Sequence, residues 1–197
     1  MKNMQRAWTP GRDITIDESM IKYKGRAVCW VQYMPAKPIK HGIKVFVCCC
    51  AQTAVMLSYE IYVGAEKSDV DGSALQICDR LINKANLTNV KGRILFTDNW
   101  YTSVNLAQHL WNTYRWTMCG TLTLTDKKSR QNHDVPFLKL SKGALNLIPR
   151  GWFREAVIEM ETSGSRKKFF LQCTTWRDKK QVSFPILLPL AIVVAEM

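Results

Sequence analysis

The hydrophobic period of this chain alternates between two and 3.6 residues, and the order of that alternation restricts its fold more than any single residue does. Ile14-Thr15-Ile16-Asp17 is a short β-branched run ending at a carboxylate. Tyr33 to Gly42 contains Pro35, Pro38 and Gly42 and reads as a loop. Ile43 to Cys50 is apolar apart from Lys44 and predicts a buried strand, and Leu57 to Val63 predicts another, closed by Gly64. Over Ser68 to Asn86 the period changes. Ala74, Leu75, Cys78, Leu81, Ile82 and Ala85 fall on one helical face, with Ser73 or Asp71 available as N-cap. Arg93 to Asp98 then predicts a strand that again ends at a carboxylate. Thr102 or Ser103 caps a second helix, whose apolar face is Leu106, Ala107, Leu110, Trp111 and Tyr114. Trp116 to Leu124 reads as a strand. After an irregular stretch from Asp126, the segments Phe153–Glu161, Lys168–Thr175 and Gln181–Phe184 predict a strand meander, with turns at Ser163-Gly164-Ser165 and near Asp178. Three leading strands followed by alternating helices and strands imply an α/β fold, a mixed sheet with helices packed on it.

Composition narrows the function classes. At 47% hydrophobic the 197 residues can bury a core. The longest apolar run, Ile186 to Ala195, holds ten residues and includes Pro189. A membrane-spanning helix needs about 20, so a membrane protein is not expected. The start, MKNMQRAWTPGRD, has no apolar core of a secretion signal. Seven cysteines are present, with no C-x-x-C pair, and Cys48-Cys49-Cys50 would alternate faces of one strand. Buried free thiols in a reducing compartment, cytoplasm or nucleus, are the expectation, rather than a disulfide framework or a zinc site. The net charge of +12 is uneven. Residues 1–50 carry nine basic and three acidic groups, residues 126–180 thirteen and six, and the stretch between them is neutral. Two basic segments flanking a neutral middle suit a polyanion, most simply nucleic acid.

The acids that stand out are Asp17 and Asp98, each at the predicted end of a strand and 81 positions apart. Strand ends are where α/β sheets present catalytic groups. Phosphoryl transfer on nucleic acid commonly uses two divalent metals about 4 Å apart held by carboxylates, because Mg²⁺ is a hard cation that prefers oxygen. Strand-end aspartates also cap turns, so spacing alone leaves both readings open. Glu18, next to Asp17 and therefore on the other face of a strand, is expected to be solvated. Asn99 reads as a turn residue, and Trp100 and Tyr101 as packing for the second helix, with base stacking as the functional alternative. His41, His109 and His133 share no motif spacing, and no nucleophile motif, P-loop or G-x-G-x-x-G is present.

The words around these acids add a family. Residues 14–26 read ITIDESMIKYKGR, residues 35–46 PAKPIKHGIKVF and residues 94–103 ILFTDNWYTS; later comes Trp176-Arg177-Asp178-Lys179-Lys180-Gln181-Val182. Together and in this order they resemble the transposase domain of the piggyBac family and its domesticated derivatives, over about residues 10–182. That resemblance implies an RNase H-like fold and DDE/D-type chemistry on DNA, with Asp17 and Asp98 as the first two catalytic, metal-binding aspartates and Mg²⁺ or Mn²⁺ as cofactor. It also implies a nuclear location, DNA as partner and a homodimer, with no small-molecule substrate. The RNase H-like strand order would bring the strands of Asp17 and Asp98 side by side.

One departure bears on activity. The family's remaining acids lie downstream in a G-G-V-D-x-x-D-like helix, whereas here Val182 is followed by SFPILLPLAIVVAEM. The expected organisation is a lead-in at 1–12, a partial RNase H-like core at 13–125, a β-rich insertion at 126–184 and a divergent apolar tail at 185–197, truncating the fold at its C-terminal end. Two carboxylates give Mg²⁺ few hard ligands, so weak metal binding and little or no cleavage are expected. The alternative is a domesticated DNA- or protein-binding module without cleavage. Lys22, Lys24 and Arg26, then Lys37, Lys40 and Lys44, then Lys127, Lys128 and Arg130 are the candidate phosphate contacts. The tail, if it found no place on the sheet, would expose an apolar patch, and its removal would then improve solubility.

Overall fold

The computed structural model describes residues 8–64, 72–121, 147–161, 168–176 and 188–190. Its contacts divide the chain within one strand, into residues 1–96 and 97–197.

The first unit is a sheet with one helix. Strands β1 (Asp13–Lys22), β2 (Gln32–Tyr33), β3 (His41–Cys50), β4 (Met56–Ile61) and β5 (Ile94–Thr97) lie in the order β2-β3-β1-β5, with β4 also on β3. The antiparallel register of β1 on β3 runs from Ile14 opposite Cys50 to Lys22 opposite Gly42. Period-two alternation puts Ile14, Ile16 and Met20 in the core, together with Phe46, Cys48 and Cys50 of β3. Cys49 is only half-buried, as alternation requires. Burial pushes the Cys48 thiol up to about 12. Helix α1 (Ala74–Lys84) packs Ile77, Cys78, Leu81 and Ile82 inward. Ser73 is its N-cap, its Oγ accepting from the Gln76 amide at 3.4 Å. Buried Ser58 on β4 donates to the Leu81 carbonyl at 2.7 Å, and Glu60 holds Arg80 and Lys84 of α1, each at 2.7 Å. Arg93, buried just before β5, donates to the carbonyls of Pro10 and Gly11. The Ile94 amide donates to the Arg12 carbonyl at 3.1 Å, so the beginnings of β1 and β5 lie side by side.

The second unit starts at Thr97, the last residue of β5. Helix α2 (Val104–Tyr114) is capped by Ser103, whose Oγ accepts from the Leu106 amide at 3.1 Å. Val104, Leu106, Ala107, Leu110 and Tyr114 are its buried face. It stops where Arg115 turns left-handed (φ 58°), with the Arg115 amide on the Trp111 carbonyl and the Trp116 amide on the Leu110 carbonyl. Strand β6 (Thr117–Gly120) follows and continues the sheet beside β5. A second sheet, β7 (Phe153–Glu161), β8 (Lys168–Trp176) and β9 (Leu188–Leu190), is antiparallel throughout. No helix among the described residues is long and apolar enough to cross a membrane.

Two expectations need correction. Strand β1 does not stop at Asp17. It continues to Lys22, because β3 is equally long and supplies a partner for every residue as far as Gly42, so polar Glu18 and Ser19 stay in the ladder. The apolar tail is not without a place. Leu188 to Leu190 pair with Gln172 to Phe170 as the third strand of the second sheet. The expected strand at Gln181–Phe184 and the turns at 163–165 and near Asp178 lie outside the described residues.

Candidate functional site

Asp98 is the first residue beyond β5, and its side chain is exposed. It organises the turn that joins β5 to α2. Its Oδ1 accepts from the Trp100 amide at 2.9 Å and the Tyr101 amide at 3.4 Å. Its main-chain carbonyl accepts from the Thr102 amide at 3.1 Å and the Thr102 hydroxyl at 2.6 Å. Tyr101 is fully buried, whereas Trp100 stands 40% exposed and meets the Tyr101 ring edge-on at 4.7 Å. Tyr101 thus fills the expected core position, and Trp100 packs against it from the half-open side. Each residue of Asp98-Asn99-Trp100-Tyr101-Thr102-Ser103 serves strand exit, turn or cap, so the capping reading of Asp98 is correct for one of its two oxygens. Among the described residues, Oδ2 accepts no hydrogen bond.

Asp17 lies in the middle of β1, opposite Val47, on the face that Ile14 and Ile16 avoid. It is exposed, and its Oδ1 accepts from the Glu18 amide at 2.7 Å. Glu18 departs from expectation. Its side chain is only 12% exposed and pairs with Lys37 at 3.1 Å. The signal was present: Glu18 continues the Ile14, Ile16, Met20 alternation, and so occupies the buried side of the strand.

Strand β5 neighbours β1 in the sheet, and one carboxylate oxygen from each of Asp17, Glu18 and Asp98 lies within 4.8 Å of the others. Three hard oxygen donors at this spacing, two of them on exposed residues with room for water, match what Mg²⁺ or Mn²⁺ requires. They offer neither the nitrogen nor the thiolate of a zinc site.

The basic candidates divide. Lys22, at the end of β1, is exposed, as are Lys24, Arg26 and Lys40. Lys37 is committed to Glu18. Lys44, opposite Met20, rests its ammonium 4.9 Å from the Phe46 ring centre and 5.7 Å from that of Tyr62. Lys127, Lys128 and Arg130 lie outside the described residues.

Comparison with known proteins adds the lineage. The family model described as Transposase IS4 matches residues 1–184. Among solved structures, the chain is similar to piggyBac transposase in a synaptic complex with hairpin DNA, at 24% identity and a TM-score of 0.65. That match covers 96% of this chain and 35% of the other, so the chain spans about a third of the length of the protein it resembles. The strand order, the turn built on Asp98 and these matches agree: the chain belongs to the Transposase IS4 family and has the RNase H-like fold of piggyBac transposase.

Proposed function

We propose that this chain is the part of a DDE/D-type DNA transposase that holds divalent metal and DNA, with Asp17 and Asp98 as metal ligands and Glu18 as a third donor. The observation that carries the reading is the approach of the three carboxylate oxygens to within 4.8 Å. Like charges at that spacing repel, and a cation relieves the repulsion. When bound, Mg²⁺ or Mn²⁺ supplies charge neutralisation for in-line attack on a phosphodiester. The residues' own tasks are narrower. Asp98 is fixed by its turn, Asp17 by the β1–β3 ladder, and the pairing with Lys37 restrains Glu18.

Exposed Lys22, Lys24, Arg26 and Lys40 suit phosphate contact, which positions a duplex without reading its sequence. DNA is thus the proposed partner, and the nucleus the proposed place of action. The homodimer implied by the resemblance remains part of the proposal. The 197-residue segment by itself is proposed to hold metal weakly and to cleave little, because the downstream acidic block of the family is not in it.

The test is a plasmid-nicking assay in Mg²⁺ and Mn²⁺, run beside DNA binding across a salt series. Salt-sensitive binding with little nicking is expected. Strong Mg²⁺-dependent cleavage, abolished by Asp98→Asn, would overturn the claim of incomplete catalysis. Binding with no salt dependence would overturn the assignment of the basic residues.

A further inference from the structure

We propose that Thr102 is the positioning residue of the metal-binding carboxylate of Asp98, acting through a hydroxyl relay that Gly120 makes room for. The proposal rests on the reading of Asp98 as a metal ligand and adds what aims it. Thr102 is 3% exposed, and its Oγ1 lies 2.6 Å from the Asp98 carbonyl oxygen and 2.8 Å from Thr97 Oγ1. A carbonyl only accepts, and a hydroxyl has one proton to give. The Thr102 proton therefore goes to Asp98, and the Thr97 hydroxyl donates to Thr102. The relay spans from the residue just before Asp98 to the one four positions after it, and each bond polarises the next.

The main-chain carbonyl of Asp98 is thereby held twice, by the amide and the hydroxyl of one residue. On the other side of the residue, Oδ1 is held by the Trp100 and Tyr101 amides. With backbone and one oxygen both fixed, the plane of the carboxylate is fixed too, and Oδ2 is the oxygen left for a cation. Strand β6 completes the device. A Cβ on Gly120 would stand 2.2 Å from Thr102 Oγ1 and 2.8 Å from both Thr97 O and Thr97 Oγ1. Any side chain there would push out the hydroxyl on which the relay depends. Groups that orient metal ligands commonly change metal affinity by about 10–100-fold when removed.

The test is Mn²⁺ titration of the 197-residue chain by electron paramagnetic resonance, with thermal unfolding measured on the same samples. Thr102→Val keeps the shape and removes the relay; Thr102→Ser keeps the hydroxyl. The proposal expects T102V to weaken Mn²⁺ binding at least fivefold and T102S to stay within twofold of wild type. If T102V does not fold, Thr97→Val removes the first donor of the relay and is expected to weaken binding at least threefold. T102V, or in its place T97V, binding like wild type while Asp98→Asn has lost the ion would overturn the positioning role and leave the metal reading intact. So would T102S losing as much as T102V, since packing rather than the hydroxyl would then matter. No Mn²⁺ binding by the wild-type chain would overturn both readings together.

Discussion

Gly120→Ala is a one-methyl change whose cost follows from contacts around the Asp98 turn. The new Cβ would lie 2.2 Å from Thr102 Oγ1, against an ordinary carbon–oxygen contact beyond 3.4 Å. Thr102 cannot simply swing away. It is β-branched and stiff at χ1, nearly fully buried, and its hydroxyl makes two hydrogen bonds. Thr97 O, 2.8 Å from the new atom, is backbone in β5. Overpacking of this kind costs about 1–3 kcal/mol. Turning the hydroxyl away adds about 1 kcal/mol for each lost bond. A total of about 3–5 kcal/mol corresponds to a fall in Tm of roughly 6–20 °C for a chain of this size. Circular dichroism melts, with urea midpoints as a second probe, would read it. Gly72→Ala is the control, since nothing lies within 4 Å of a Cβ there, and it should change stability by no more than about 0.5 kcal/mol. A Gly120→Ala protein as stable as that control would refute the close packing of β6 on Thr97 and Thr102.

Three further outcomes follow from the same contacts. Tyr101→Ala should cost about 3–5 kcal/mol, as deletion of a buried aromatic does, while Trp100→Ala, at a half-open position, should cost far less; equal losses in melting experiments would contradict the orientation of the turn. The hydrogen bonds from Arg80, aided by Lys84, hold the Glu60 carboxyl below its ordinary value of 4.5 despite partial burial. Its contribution is therefore present above that pH and lost as pH falls through the lowered value, so Glu60→Gln should lower Tm at pH 7 and shrink the difference from wild type at pH 3; a constant difference would refute the linkage. Removing residues 185–197 uncovers the side of β8 that pairs with β9. It should reduce solubility and Tm, and a more soluble, equally stable truncation would mean that the β8–β9 pairing contributes nothing.

Legibility in the sequence followed the strength of local signals. Strand β7 was readable to the residue because Ala156, Ile158 and Met160 recur at period two, whereas the cap of α2 was readable only as Thr102 or Ser103, since both hydroxyls stand just before the apolar helical period. The end of β1 was not readable. Glu18, Ser19 and Lys22 carry no strand signal of their own and are held by pairing with partners 20 to 28 residues away. The apolar face that runs through Ala74 and Leu75, both only half-buried, leaves out Ile77, which is buried on α1. The pair Asp17 and Asp98 was visible through the surrounding family words. The inward side of Glu18 was legible in the Ile14, Ile16, Met20 alternation, but its pairing with Lys37 was not, and the hydroxyls of Thr97 and Thr102 needed β6, since no sequence pattern brings Gly120 against them.

The most direct test of the central claim is a Mn²⁺ titration of the chain beside Asp17→Asn and Asp98→Asn, each verified as folded by circular dichroism. The account predicts that the wild-type chain binds the ion, that both variants lose it, and that Glu18→Gln weakens it. Variants at Asp17 and Asp98 that bind Mn²⁺ as the wild type does would contradict the account, because the three carboxylates would then be turn and ladder residues and nothing more.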